Sequence, residues 1–473
     1  MALENQKINI LLVAFASQGH LNPMLRLGKK LASKGLQVTI ATTEIARQRM
    51  LSSLSTTTNT ITLNSNSYIS LEFFSDGLSP DYNRTADLDY YMDCLGKYGP
   101  ENLSKLMDDF SQGGRRKFSC IINNPFVPWV ADVAARHGIP CAMLWIQPCS
   151  LYAIYYRFYN KIDAFPMSED PNMTIQVPGL PLLHYTDLPS FILPSNPFGN
   201  FPKLISESFR SMEKLKWVLG NSFYELEKDA VEWLSNLCPI RNVGPLVPSI
   251  LLDGEESKDI GIDMWKPDET CVAWLDKKPN LSVIYVSLGS FSVLSAEQME
   301  QLALGLKNSN RSFLWVVKPP DYETKHREGE LPIGFLQDID NQGLVVNWCP
   351  QTKVLIHLAI SCFITHCGWN STLETIASGV PVICFPQWTD QPTNAKLITD
   401  VFKTGIRFRP DQDGLVNKEE VERCIVEILD GPKAEEFRRR ALELKGEARK
   451  AVAGGGSSDA NIQLFIDELI AVN

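Results

Sequence analysis

The decapeptide THCGWNSTLE, residues 365–374, brings His366, Cys367, Gly368, Trp369, Asn370, Ser371 and Glu374 together ahead of a stretch with helical spacing, in a chain with only 6 histidines. Three chemistries fit these residue types. A metal centre would draw on Cys362, His366 and Cys367 with Cys349 or His357. On a strand, however, 362 and 366 share one face while 367 points the other way, and no second C-x2–4-C pair completes a tetrahedral set. A phosphate cradle fits better. A strand that ends at Gly368 and runs into a helix capped from Asn370, Ser371 and Thr372 offers free backbone N–H groups with the helix dipole behind them, and His366 adds a side-chain donor. The third reading is structural, with His366 and Trp369 as satisfied core residues at a strand end. The ten residues alone do not choose between the last two.

Two further turns carry candidate chemistry. SLGS, residues 287–290, is a second strand–turn with Ser290 available to the same anion, although a lone glycine turn is a weak signal. SQGHLNP places His20 after the first strand and before a helix that Pro23 is expected to open. A histidine there either acts as a general base with a pKa near neutrality or merely caps and packs. The dinucleotide fingerprint G-x-G-x-x-G is absent from both strand–helix turns.

The elements that must position these residues alternate in type. INILLVAFA reads as a strand, PMLRLGKKLASKG as a helix with a glycine stop, and LQVTIATT as a second strand, a βαβ unit that implies a parallel sheet. FSCIINN and IPCAMLWIQ continue the alternation around the helix PWVADVAARHG. Residues 241–262, rich in proline, glycine and acids, read as a linker. Beyond them LSVIYVSLGS, SFLWVVKP, GLVVNWCP, SCFITHCG and VPVICFP are strands of a second α/β domain. The expected division is an N-terminal domain over 1–240, a C-terminal domain over 263–452, and a closing helix within 453–473 that packs back on the first domain, with Ser458 or Asp459 as its N-cap. Two such domains bind ligand in the cleft between their strand C-termini.

Composition bounds the rest. With 473 residues, 44% apolar and 21% charged, the chain is a folded protein of two or three domains. A net charge of −10 with no basic stripe argues against nucleic acid. The 11 cysteines lack framework spacing and fit reduced thiols. The early run ILLVAFA is too short and too β-like for a signal peptide or membrane span. A cytoplasmic monomer without a membrane span is expected.

From Trp348 through Gln391 the run WCPQTKVLIHLAISCFITHCGWNSTLETIASGVPVICFPQWTDQ resembles, end to end, the signature box of plant secondary-product UDP-sugar glycosyltransferases. SQGHLNP, WLDKKP, YVSLGS and the tail SSDANIQLFIDEL are similar to that family as well. The resemblance implies the GT-B architecture, two facing Rossmann-like doubly wound domains with an interdomain cleft, the donor mainly on the C-terminal domain and the acceptor on the N-terminal one. It implies Trp348 on uracil with Cys349 and Gln351 beside it, Glu374 on the ribose hydroxyls, and His366, Asn370, Ser371 and Ser290 on the diphosphate at the Gly368 turn. Trp369, Asp390 and Gln391 would read the sugar, and a glutamine at 391 implies UDP-glucose as the donor substrate, with no cofactor and no metal. The implied chemistry is inverting displacement at C1, with His20 as base.

One departure bears on the acceptor. Most of the family pairs the histidine with an aspartate, but CIINNPFVPW puts Asn124 at that position. An amide orients the ring yet contributes no charge to the imidazolium, and in the Ser-His-Asp template such a swap costs about 10⁴ in rate. A carboxylic acid acceptor, with a reference pKa near ~4, is already ionised and needs little base. INNPF with LWIQPC also resembles the branch that often forms glucose esters of phenolic acids. Ile146 stands where many relatives have a threonine touching the sugar. Phe126, Trp145, Phe191 and Trp388 are candidate acceptor contacts by position.

The expected function is therefore UDP-glucose-dependent glucosylation of small aromatic plant metabolites, carboxylates favoured, with O- or C-glucosylation of flavonoids and other phenols as runner-up. From other classes, a NAD(P)-dependent reductase or nucleotide-sugar epimerase is disfavoured by the missing fingerprint, and a non-catalytic nucleotide-sugar sensor by the presence of His20.

Overall fold

β1 (Asn9–Val13, NILLV) is buried at every position, the pattern of a strand covered on both faces. In the computed structural model, which describes residues 8–54, 60–64, 67–84, 87–112, 117–165, 173–196, 199–252, 267–290, 292–318, 328–339 and 341–472, it lies at the centre of the first of two large sheets. The other strands are β2 (Gln37–Thr43), β3 (Thr60–Asn64), β4 (Ser67–Phe74), β5 (Cys120–Asn123), β6 (Cys141–Trp145), the small pair β7 (Thr174–Ile175) and β8 (Leu183–His184), β9 (Leu215–Gly220) and β10 (Arg241–Asn242). Then follow β11 (Val283–Ser287), β12 (Ser312–Val316), β13 (Gly343–Val346), β14 (Ile360–Thr365), β15 (Val382–Cys384) and β16 (Gly405–Arg407).

Among the described residues the first sheet has the order β10-β9-β6-β5-β1-β2-β4-β3, parallel except for the edge strand β3, and the second is the all-parallel β13-β12-β11-β14-β15-β16. In each sheet the order reverses beside the first strand, between β1 and β5 and between β11 and β14. A reversal leaves a crevice at the strand C-termini, because the loops on either side leave in opposite directions. His20 lies in the first turn of the helix that follows β1, Asn124 directly after β5, and Ser290 and His366 in the turns after β11 and β14.

Three expectations change. Helix Gln18–Ser33 begins five residues before Pro23, which lies inside it. A proline has no N–H for the carbonyl four residues back, here Gly19. That oxygen accepts instead from Asn370 Nδ2 of the other half of the molecule, at 2.8 Å. The linker expected over 241–262 starts late, since Arg241 and Asn242 pair with Leu219 and Gly220 as the edge of the first sheet; its portion from 253 lies outside the described residues. Neither Ser458 nor Asp459 is the residue preceding the last helix, which is Ser457–Val472; the Ser458 hydroxyl goes to the Gly244 carbonyl and Asp459 reaches back to the Gly455 N–H.

The last helix buries Ile462, Phe465, Ile466 and Leu469 in the core beneath β1. Its Glu468 accepts from Arg241 at 2.7 and 2.8 Å and from Trp217 Nε1 at 2.6 Å. Among the described residues no helix is long and apolar enough to cross a membrane.

Candidate functional site

Between the two sheets opens a cleft of about 510 Å³ lined from both sides, within the range of small-molecule sites. On the N-terminal side, His20 Nδ1 lies 2.9 Å from Asn124 Oδ1. The same oxygen accepts the Phe126 N–H at 3.1 Å, which fixes the amide with its carbonyl toward the ring. An oxygen can only accept, so His20 is protonated at Nδ1, and Nε2, on the far edge of the ring, is the free base. Phe15 and Phe126 pack edge-on against the imidazole at 5.2 and 4.3 Å. Burial drives the His20 pKa down to about 4, against a smaller upward pull from Asn124. The ring is therefore neutral near pH 7.

On the other side, helix Trp369–Ser378 points its N-terminus into the cleft. Its cap is Gly368, which makes no side-chain bond; Asn370, Ser371 and Thr372, expected to cap, are already inside the helix. The first-turn N–H groups are thus left without a side-chain cap, as an anion cradle requires. His366 sits between two glycines. A Cβ at Gly368 would lie 2.5 Å from His366 Nε2 and one at Gly289 2.7 Å, with Gly289 also at φ +79. Only glycine lets both turns close on the ring. Burial brings the His366 pKa to about 4, the Ser287 backbone opposing it.

One end of the cleft is built on a chain of hydrogen bonds. The buried Tyr285 hydroxyl donates to Gln351 Oε1 at 3.0 Å, and Gln351 Nε2 donates to Glu374 Oε2 at 2.7 Å and to Ser371 Oγ at 3.2 Å. Trp348 and Cys349 line the cleft beside it, as does Ser290 across from them. At the opposite end Asp390 is buried, its two oxygens accepting from Thr389 Oγ and Asn394 Nδ2, both at 2.7 Å. Burial raises its pKa, with those bonds and Gln147 acting against the shift. Gln391 Oε1 accepts the Gln387 and Trp388 N–H groups at 2.9 and 3.2 Å, so its NH₂ group is turned away from the turn.

The structure brings His20, Ser290, Trp348, Cys349, Gln351, His366, Gly368, Asn370, Ser371, Glu374, Asp390 and Gln391 to this one cleft, together with Phe126, Phe191 and Trp388. One expectation fails. Trp145 is fully buried in the N-terminal core, its indole N–H on the Pro148 carbonyl, and does not reach the cleft. Trp369, by contrast, lines the cleft; the residue is 3% exposed, and its indole N–H donates to the Asn221 carbonyl at 2.7 Å. The indole thus joins the two halves at the edge of the cleft. Ile146 is core as well, while its neighbour Gln147 lines the cleft. Sequence reasoning missed Tyr285 and Gln147. Tyr285 lies within YVSLGS and Gln147 within LWIQPC, but no spacing rule separates a strand residue that faces a ligand from one that faces the core. Among the described residues no group of three His, Cys, Asp or Glu side chains is arranged to hold a metal.

Comparison with known proteins agrees with this geometry. The family model for UDP-glucoronosyl and UDP-glucosyl transferase matches residues 252–435. The limonoid UDP-glucosyltransferase of Citrus unshiu is 44% identical over 464 residues, 98% of this chain and 90% of the relative. The gallate 1-beta-glucosyltransferase 84A24 of Punica granatum is 43% identical, covering 98% and 89%. The crystal structure of Os79 from O. sativa in complex with UDP superposes with a TM-score of 0.84 at 33% identity, over 97% of this chain and all of that one. Two doubly wound sheets facing a shared cleft, matched over nearly their whole length by such relatives, make this chain a member of the UDP-glycosyltransferase family with the GT-B fold.

Proposed function

We propose that the protein transfers glucose from UDP-glucose, with inversion and without a metal, to small aromatic acceptors, and that carboxylates are its favoured acceptors. The observation that carries the acceptor class is the His20–Asn124 pair at 2.9 Å, a base that is oriented but given no charge. In the reaction the acceptor oxygen forms a bond to C1 from the N-terminal side while the bond from C1 to the diphosphate oxygen breaks and its electron pair goes to UDP. Charge grows on the leaving diphosphate, and the Trp369–Ser378 helix N-terminus with His366 stabilises it. Glu374, held by Gln351, takes the ribose, and Trp348 the uracil. Asp390 as acceptor and Gln391 as donor suit neighbouring hydroxyls of a neutral hexose.

For a phenol or other hydroxyl acceptor, His20 Nε2 takes the proton. A base with a pKa near 4 does this weakly, whereas an ionised carboxylate has no proton to give up. The gallate relative acts, by its name, on an aromatic carboxylate, which supports the same choice. Phe126, Phe191 and Trp388 would hold the aromatic ring. The buried thiols are in keeping with a cytoplasmic location, and both walls of the cleft come from one chain, so a monomer suffices. The test is incubation with UDP-glucose and matched acid, phenol and trihydroxyphenyl ketone acceptors, followed by alkaline hydrolysis. Alkali-labile products are expected to dominate; a predominance of alkali-stable products would overturn the ester assignment.

A further inference from the structure

Thr389, between the acceptor contact Trp388 and the sugar contact Asp390, has φ +58. A β-branched residue is rarely found in this left-handed region, because its Cβ crowds the following carbonyl. Bonds from the other half of the molecule hold both of its backbone polar groups. Its N–H donates to the Ser190 hydroxyl at 2.9 Å, and its carbonyl accepts the Ser190 N–H at 2.9 Å. The Thr389 hydroxyl in turn donates to Asp390 Oδ1.

Ser190 is itself held firmly. It follows the short turn Tyr185–Asp187, where Asp187, 5% exposed, accepts from Arg407 Nη1 at 2.9 Å and has Lys396 Nζ at 3.7 Å. The Asp187 carbonyl accepts from Thr393 Oγ at 2.7 Å. The residue after Ser190 is Phe191, whose ring meets Trp388 edge-on at 6.4 Å across the acceptor side of the cleft.

We infer that Ser190 is a positioning residue that holds the Thr389–Asp390 turn from across the domain boundary, and so ties the carboxylate that reads the sugar to the Phe191 wall that holds the acceptor. The inference rests on Asp390 being a sugar contact. The Ser190 side chain, which does not line the cleft, would then set donor selectivity through a strained turn that relaxes when its cross-domain bonds are lost.

The test compares Ser190→Ala, Ser190→Thr and Asp390→Asn in the full chain, with kcat and KM for UDP-glucose and UDP-galactose, donor affinity by calorimetry so that an inactive variant still reports, and Tm. Ser190→Ala is expected to raise KM for UDP-glucose by roughly five- to tenfold, the size of one lost hydrogen bond, and to narrow the preference for glucose over galactose by a similar factor. Tm should move little, and Ser190→Thr, which keeps the hydroxyl, should restore both values. If Asp390→Asn leaves donor preference and affinity unchanged, the sugar-contact reading fails and the inference falls with it. If Asp390→Asn changes them while Ser190→Ala does not, or lowers kcat alike for both donors in step with Tm, the role of Ser190 is overturned.

Discussion

Replacing a carboxylate by an amide beside an imidazole removes a charge but keeps a hydrogen bond. At Asn124 the bond to His20 is present at 2.9 Å, while the charge that would raise the histidine's pKa further is missing, so burial outweighs the bond and the value falls to about 4. The acidic limb of kcat/KM, which reports the free enzyme, should accordingly lie near pH 4 for a phenolic acceptor rather than near 6.5. Asn124→Asp should move that limb upward and raise the phenol rate relative to the carboxylate rate, measured as the ratio of the two kcat/KM values across pH. A wild-type limb centred at 6.5 would contradict the account. The identity of this pair was legible through the family resemblance of SQGHLNP and CIINNPFVPW, not from position after a strand alone. The tautomer was not, because it depends on the Phe126 N–H sharing the same oxygen. Trp145 departs from expectation for a related reason: position along a strand does not say which partner an indole finds.

At the scale of elements, the two strand–turn–helix units depend on residues that let backbones approach. Gly368→Ala places a methyl 2.5 Å from His366 Nε2, so the ring or the helix must shift; a displacement of that size should lower kcat/KM by about one to two orders of magnitude, with smaller loss of stability. Steady-state kinetics alongside thermal melts separates the two effects. Pro23 allows a second test. Asn370→Ala leaves the Gly19 carbonyl without its donor and should cost about 1 kcal/mol, whereas adding Pro23→Ala supplies an N–H four residues on and should recover the stability but not the activity. Denaturant melts of the single and double variants check this. The strand–glycine–helix turn could be read from THCGWNSTLE, but its true cap could not. Gly368, Asn370 and Ser371 all suit a helix start, and the choice fell to Asn370 being needed by the other half of the molecule.

For the whole molecule, the alternation of strands and helices announced two doubly wound units, and the structure adds that both order reversals face one cleft. The late start of the linker was hidden because β10 is only two residues long, too short for any periodicity to mark. The buried histidines link stability to pH. His20 and His366 both have folded pKa values near 4, below their unfolded values, so the unfolded chain binds more protons between about 6.5 and 4. Their contribution is complete above pH 6.5 and is lost as the pH falls toward 4. Tm should decline over that window in the unliganded protein, and less steeply for His20→Ala. The central claim is that an uncharged base suits acceptors that need none. Its most direct test is kcat/KM of wild type and His20→Ala on a benzoic acid and the matching phenol. The expected loss is about a hundredfold or more on the phenol and less than about tenfold on the acid; equal losses on both would contradict it.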